Sequence, residues 1–302
     1  MARPIVLYDQ TNTRNIRTRS VINPTYKKAV VPPTTAPAAP PSTPKSLQPY
    51  EKFLVLDVEA TCHRGTSFDF PNEIIEFPVS LLQWKDRTEN CHASQLEVVG
   101  EFRSFVRPTW KPTLSQFCKD LTGITQEQVD IAPTFPEVLA RFHKFLVKHG
   151  LVDEQTGERR VRFCWCSDGP FDVRDFVVKQ CFISNIPIPH WLRGDILDVR
   201  LAVNYWLGVQ ALQRPESGPR DFPRRRSLNI PSQLEVLGLP VFEGRQHCGI
   251  DDTRNLAKIV TELARRGVCL LPNTAIEPYR RWQWMGKRGQ ILEEYCNPQV
   301  FR

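Results

Sequence analysis

Four consecutive apolar residues, Phe53-Leu54-Val55-Leu56, run directly into Asp57-Val58-Glu59. A short run with no polar position has no face to offer water. It reads as a strand covered on both sides, in a sheet with helices above and below. That single requirement points the whole chain toward a layered α/β domain. Side chains at i and i+2 share one face of a strand, so Asp57 and Glu59 converge on one point where the strand leaves the sheet. The D-x-E pattern is common by chance, and its place directly after a buried run makes it a candidate site.

The rest of the chain fits this frame. Glu73–Trp84 and Glu97–Arg107 are β-rich and read as a meander pairing onto the first strand. Short helices are expected around Leu114–Leu121 and Gln126–Val129. Thr134–His149 carries Phe135, Val138, Leu139, Phe142, Phe145 and Leu146 on a helical stripe. Val161–Cys166 is a second buried strand. Pro170–Ile183 reads as a helix with Phe171, Phe176, Val177 and Phe182 inward, and Ile196–Leu207 as another. An Arg-rich loop follows over 208–227, then a short helix over Pro231–Leu237 capped by Asn229 or Ser232. Asp251–Arg266 is a long amphipathic helix opened by two acids, which suit the positive end of a helix dipole. The expected domain spans residues 50–271, with a tail before it (1–49) and an extension after it (272–302).

Three more groups join the first pair of acids. Asp172 follows Gly169-Pro170-Phe171 at a helix start, with Asp168 as a competitor that reads more simply as a turn residue. His247 stands five residues before Asp252, across Gly249, on the loop entering the long helix. Asp251 and Asp252 point about 100° apart on a helix, so one of them reaches the site. Four carboxylates can hold two divalent cations, and a histidine can take a proton from water; together they suit hydrolysis of a phosphodiester.

The segments FLVLDVEATC (53–62), NEIIEFPVSLL (72–82), FVRP (105–108), LTGITQEQVD (121–130), DGPFDV (168–173) and HCGIDDTRNLAKI (247–259) agree in order with a known pattern. Together they resemble the DEDDh (DnaQ-like) 3′–5′ exonuclease superfamily. Within it the likeness is strongest to the eukaryotic enhanced-RNAi and histone-mRNA 3′-end exoribonucleases, over about residues 50–270. Cys-Ser-Asp-Gly stands where other members have His-Asn-Ala, which fits the RNAi-linked subgroup.

The resemblance implies an RNase H-like exonuclease domain with a mixed central sheet flanked by helices. It implies two Mg²⁺ or Mn²⁺ ions held by Asp57, Glu59, Asp172 and Asp252, with His247 as general base. All-oxygen ligation favours these ions over zinc. It further implies that Ala60, Thr61, Leu121 and Thr122 grip the terminal nucleotide, where a contact to the 2′-OH would select RNA. The implied substrate is the 3′ end of a short duplex, an overhang or a structured RNA. The implied processes are small-RNA turnover in RNA silencing and rRNA or mRNA 3′-end processing. The family's stem-loop readers carry an N-terminal helical module, and the proline-rich residues 1–49 do not read as one. Two other readings stay open: a DNA 3′ exonuclease, and a catalytically silent RNA-binding adaptor.

The 302 residues carry a net charge of +7, unevenly placed. Residues 1–50 hold seven Lys and Arg against Asp9, and residues 272–302 hold five against three Glu. Basic ends on a near-neutral centre fit a polyanion ligand. In the loop at 208–227, Arg224, Arg225 and Arg226 are candidates for contacts with RNA phosphates. Nine prolines in residues 1–49 predict a disordered tail that could recruit silencing-complex proteins. Its first twenty residues are Arg-rich, as in a mitochondrial presequence, but lack an apolar helical face. No apolar stretch reaches the roughly 18 residues of a membrane-spanning helix, so no membrane partner is expected. Nine cysteines without a C-x-x-C pair suit reduced thiols in the cytoplasm or nucleus. Trp282 and Trp284 are expected to pack on the domain, with base stacking as the alternative.

Overall fold

The computed structural model describes residues 45–66, 68–213 and 228–296. A short ribbon pairs β1 (Ser46–Leu47) with β5 (His92–Ala93). The main sheet has six strands: β2 (Lys52–Leu56), β3 (Glu59–Ala60), β4 (Ile74–Trp84), β6 (Leu96–Phe105), β7 (Phe163–Ser167) and β8 (Leu197–Asp198). β4 lies between β6 on one edge and β2 with its continuation β3 on the other, antiparallel to all three. β7 runs parallel to β2, and β8 parallel to β7. This is the mixed sheet expected of an RNase H-like exonuclease domain.

The helices are α1 (Gln116–Thr122), α2 (Gln126–Asp130), α3 (Phe135–Lys148), α4 (Val178–Ile183), α5 (Val199–Leu212), α6 (Ile230–Val236) and α7 (Gly249–Arg265). The period-2 alternation of β2 sorts its side chains between two cores. Phe53 and Val55 pack with the buried faces of α5, α6 and α7. Leu54 and Leu56 pack on the other side with Val138, Leu139, Phe142 and Leu146 of α3 and with Trp165. Phe53, Leu54, Val55 and Leu56 are all fully buried. Full burial of such side chains is worth about 1.5–3 kcal/mol each, which is why this strand sits at the centre.

Several expectations need correcting. Pro170–Ile183 is not one regular helix: Asp172–Val177 forms a wide π-helical turn that leads into α4. The wider turn buries Asp172 and Val173 but leaves Phe171 and Phe176 half-buried instead of inward. The start of the expected helix at Ile196 is strand, because Leu197–Asp198 pairs with β7 and only then does α5 begin, capped by Asp198. α5 runs on to Leu212, into the stretch expected to be loop; Arg224, Arg225 and Arg226 lie outside the described residues. Order begins before Tyr50. Gln48 is buried, donates to Val268 O at 2.9 Å and accepts from Leu270 N–H at 3.0 Å. Of the expected tail over residues 1–49, residues 1–44 lie outside the described residues. Among the described residues no helix is long and apolar enough to cross a membrane, and all nine cysteines are unpaired.

Candidate active site

One cavity of about 610 Å³ opens at the end of β2, where the strand leaves the sheet. Asp57, Glu59, Asp172, His247 and Asp252 line it together, and so do Ala60, Thr61, Leu121 and Thr122. Residues from three distant parts of the chain meet there because three elements end at this edge. β2 and β3 deliver Asp57 and Glu59. The π-helical turn after β7 delivers Asp172, and the first turn of α7 delivers Asp252.

Each acid is fixed by its neighbours. Asp172 Oδ1 accepts the Val58 N–H at 2.9 Å, which ties the π-helical turn to the residue between Asp57 and Glu59. Asp252 sits in α7, whose first turn touches the sheet. A side chain at Gly249 would put its Cβ 2.8 Å from Asp57 O and 3.0 Å from Pro78 Cγ. Only glycine lets the helix come this close, and that approach brings Asp252 to Asp57. The Gly249 N–H donates to the buried Glu76 at 3.2 Å, and Arg103 pairs with the same carboxylate at 2.7 Å. Glu76 lies opposite Glu59 in the β3–β4 register. Its Arg103 partner makes it a post for α7.

The acids raise one another. Burial pushes the Asp57 carboxyl well above the usual range, and Asp172, Asp252 and Glu59 add to it. Glu59 is raised by burial, then by Asp252, Glu76 and Asp172. Burial lifts Asp172 to about 7 against the opposing Val58 N–H. Asp252 also rises to about 7, chiefly by burial, with the backbone N–H groups of His247 and Cys248 opposing. Crowded, desolvated carboxylates of this kind are stabilised by a cation among them. Among the described residues no three His, Cys, Asp or Glu groups close around one point in ligating geometry. The fit to a metal therefore rests on the donor set, which is all carboxylate and suits a hard divalent ion.

Asp168 also reaches the cavity, but Arg200 pairs with it at 2.7 Å and Gln233 Nε2 donates to it at 2.6 Å. It fastens α5 and α6 to the end of β7. Asp251 faces away from the cavity and accepts the Arg245 N–H at 3.0 Å.

His247 is exposed on the loop before α7, with φ of +59°. A non-glycine residue in the left-handed region stores strain, commonly at functional sites. Partial burial of its ring and the nearby Arg245 charge hold the imidazole below its ordinary value. It is therefore neutral and able to accept a proton at neutral pH. The Arg245 guanidinium donates to Asp120 O at 2.8 Å and to His247 O at 3.4 Å. It lies over Gly123, where a Cβ would meet it at 2.9 Å. The loop carrying His247 and the loop carrying Leu121 and Thr122 are thereby held together.

Sequence reasoning missed Arg245, Asn72 and the aromatic wall of Phe68, Phe117, Phe171 and Phe176 that lines the cavity. Phe68 stacks on Phe171 with ring centroids 4.7 Å apart. The only linear signal for the wall was Phe171 directly before Asp172.

Residues 54–158 match the family described as Exonuclease, RNase_T. Over 252 residues the chain is 36% identical to the 3'-5' exonuclease eri1 of Schizosaccharomyces pombe, covering 79% of this chain and 74% of that relative. A solved nuclease domain of 3'hExo, described as a DEDDh family member bound to rAMP, is 31% identical. It superposes with a TM-score of 0.60 over 76% of this chain and all of that one (100%). The chain belongs to the DEDDh 3′–5′ exoribonuclease family.

Other members agree. The 3'-5' exoribonuclease 1 of Rattus norvegicus is 33% identical over 72% of this chain, which spans 54% of that longer protein. A structure described as 3'-end specific recognition of histone mRNA stem-loop by 3'-exonuclease gives a TM-score of 0.61 at 31% identity, covering 76% of this chain and 69% of that one. The domain found here is thus that of a hydrolytic exoribonuclease, and DEDDh exonucleases work with divalent metal ions.

Proposed function

We propose that this protein holds two Mg²⁺ or Mn²⁺ ions and removes 5′-mononucleotides from RNA 3′ ends, with short duplexes, overhangs and structured ends as substrates. The observation that carries the reading is the meeting of four carboxylates and a histidine in one cavity. Asp57, Glu59, Asp172 and Asp252 would hold the ions, which when bound supply positive charge against the phosphate and make water a better nucleophile. His247 takes the proton from the attacking water at an imidazole nitrogen. Ala60, Thr61, Leu121 and Thr122 hold the terminal nucleotide so that its phosphate faces the acids. Asn72, which donates to Thr61 O at 2.6 Å, keeps the end of β3 in place.

RNA silencing and 3′-end processing are the proposed settings, supported by a relative named eri1 and by a neighbour that recognises a histone mRNA stem-loop. Proteins of the silencing machinery, recruited through the basic N-terminal residues, are the proposed partners. The test is degradation of an oligoribonucleotide and of DNA of the same sequence. Each is incubated with Mg²⁺, with EDTA, and with the Asp57→Ala variant. RNA decay only with Mg²⁺ and the intact site is expected. Faster decay of DNA would make the protein a DNA exonuclease. Binding without decay would make it an adaptor. Equal decay in all arms would reject the assignment of the site.

A further inference from the structure

Lys179 has zero exposure, and the reaction described above makes no use of it. Its ammonium donates to the carbonyls of Phe68 and Phe70, the latter at 2.9 Å, and to Asn72 Oδ1 at 3.3 Å. The Trp282 ring faces it at 5.1 Å and the Phe176 ring at 5.6 Å. Burial and Arg280 oppose its charge, while Asp175 and Asp69 favour it. A buried ammonium is costly unless its donors are met. Here three N–H groups find three acceptors.

Asn72 passes the constraint onward. Its Nδ2 donates to Thr61 O at 2.6 Å. Thr61 Oγ1 accepts the Glu73 N–H at 2.9 Å, and the Thr61 N–H donates to Glu73 O at 2.8 Å. Thr61 lines the cavity. On its far side the path is anchored by the C-terminal segment. Trp282 Nε1 donates to Asp69 Oδ1 at 3.2 Å, Trp284 Nε1 to Asp69 O at 2.7 Å, and Arg280 pairs with Asp175 at 2.8 Å. Contacts therefore run without a break from the Trp282 ring through Lys179 and the Asn72 side chain to the Thr61 backbone.

We propose that Lys179 is a positioning residue that couples the segment 280–285 to Ala60 and Thr61, so that the C-terminal extension completes the site for the terminal nucleotide. This rests on reading Ala60 and Thr61 as the nucleotide grip. Lys179 touches no reacting atom and acts only through Asn72 and the Phe68–Phe70 backbone.

Lys179→Met keeps the stem and removes the donors. Phe142→Leu, in the core between α3 and the sheet, serves as a destabilised control. Both are compared with the parent protein well below their melting temperatures. Lys179→Met is expected to raise KM for an oligoribonucleotide and Kd for 5′-AMP together, by about tenfold, with kcat within about twofold. Phe142→Leu moves neither. Trp282→Leu gives the same split, and combining it with Lys179→Met adds little, because both break one connected path. Unchanged KM and Kd in Lys179→Met, or an equal shift in Phe142→Leu, overturns the proposal. If Lys179→Met does not fold, Trp282→Leu decides by the same readouts. A parent protein that neither degrades RNA nor binds 5′-AMP would end the nuclease reading and this proposal together, and so differs from failure of Lys179 alone.

Discussion

Asp172 shows how one side chain can carry opposite duties. The Val58 N–H holds it in place, yet burial lifts it to about 7, far above an ordinary aspartate near 3.8. A carboxyl raised in the fold favours its protonated form, so its contribution to stability is present below about pH 4 and is lost as pH rises through about 7. Asp172→Asn cannot ionise and still accepts the Val58 N–H. In EDTA its melting temperature, relative to the parent, is expected to climb from pH 5 to about pH 7 and to level off above that in thermal melts. A pH-independent difference would remove the electrostatic account. At this scale the sequence was informative about which acids to consider and weaker on how to rank them. Asp168 and Asp172 were separable partly by family likeness. What separates them physically is Arg200, thirty-two residues beyond Asp168, and Gln233, sixty-five residues beyond it. No local pattern reports such partners. For Asp251 and Asp252 helix geometry said only that one of them could reach the site, and the family pattern pointed to Asp252.

Helix α1 is positioned by its cap. Ser115 Oγ accepts the Cys118 N–H at 3.0 Å and donates to Cys62 O at 2.6 Å, so one hydroxyl both starts the helix and ties it to the segment that follows β3. Ser115→Ala is expected to cost about 1 kcal/mol in urea unfolding, as the removal of an N-cap does. It should also raise KM for RNA, because Leu121 and Thr122 ride on α1. Thr125→Ala, which removes the cap of α2, should cost a similar amount and leave KM unchanged. Parallel changes in both variants would show that α1 is not a gauge of the site. Elements with strong periodicity, such as α3 and α7, were legible in the sequence because one apolar stripe suffices to mark them. β8 was not. Two residues make no pattern, and this strand exists through pairing with β7 and through Asn273, which bonds the Asp198 N–H and carbonyl at 2.8 and 2.9 Å. The π-helical turn at Asp172 was hidden for a related reason: its extra residue is selected by where the acid must reach.

At the scale of the molecule, positive charge is concentrated along the sequence in residues 1–50 and in the stretch 208–227. Arg224, Arg225 and Arg226 remain the proposed partners of RNA phosphates. Replacing all three with Ser is expected to weaken RNA binding and to lower the slope of log K against log salt by about 0.7–0.9 for each phosphate that is no longer neutralised. An unchanged slope, measured by titration at several salt concentrations, would dismiss that role for the three arginines. The assembly of the cavity has a consequence of another kind. Asp57 and Glu59 are made early, Asp172 much later, and His247 and Asp252 only with the last long helix. A ribosome making this protein is itself threaded on a message, with structured RNA all around it. Until α7 clears the exit tunnel, the growing polypeptide cannot place His247 and Asp252 in the cavity that Asp57 and Glu59 line. The cavity thus stays incomplete through most of synthesis, and the order of the segments alone sets when its lining can close.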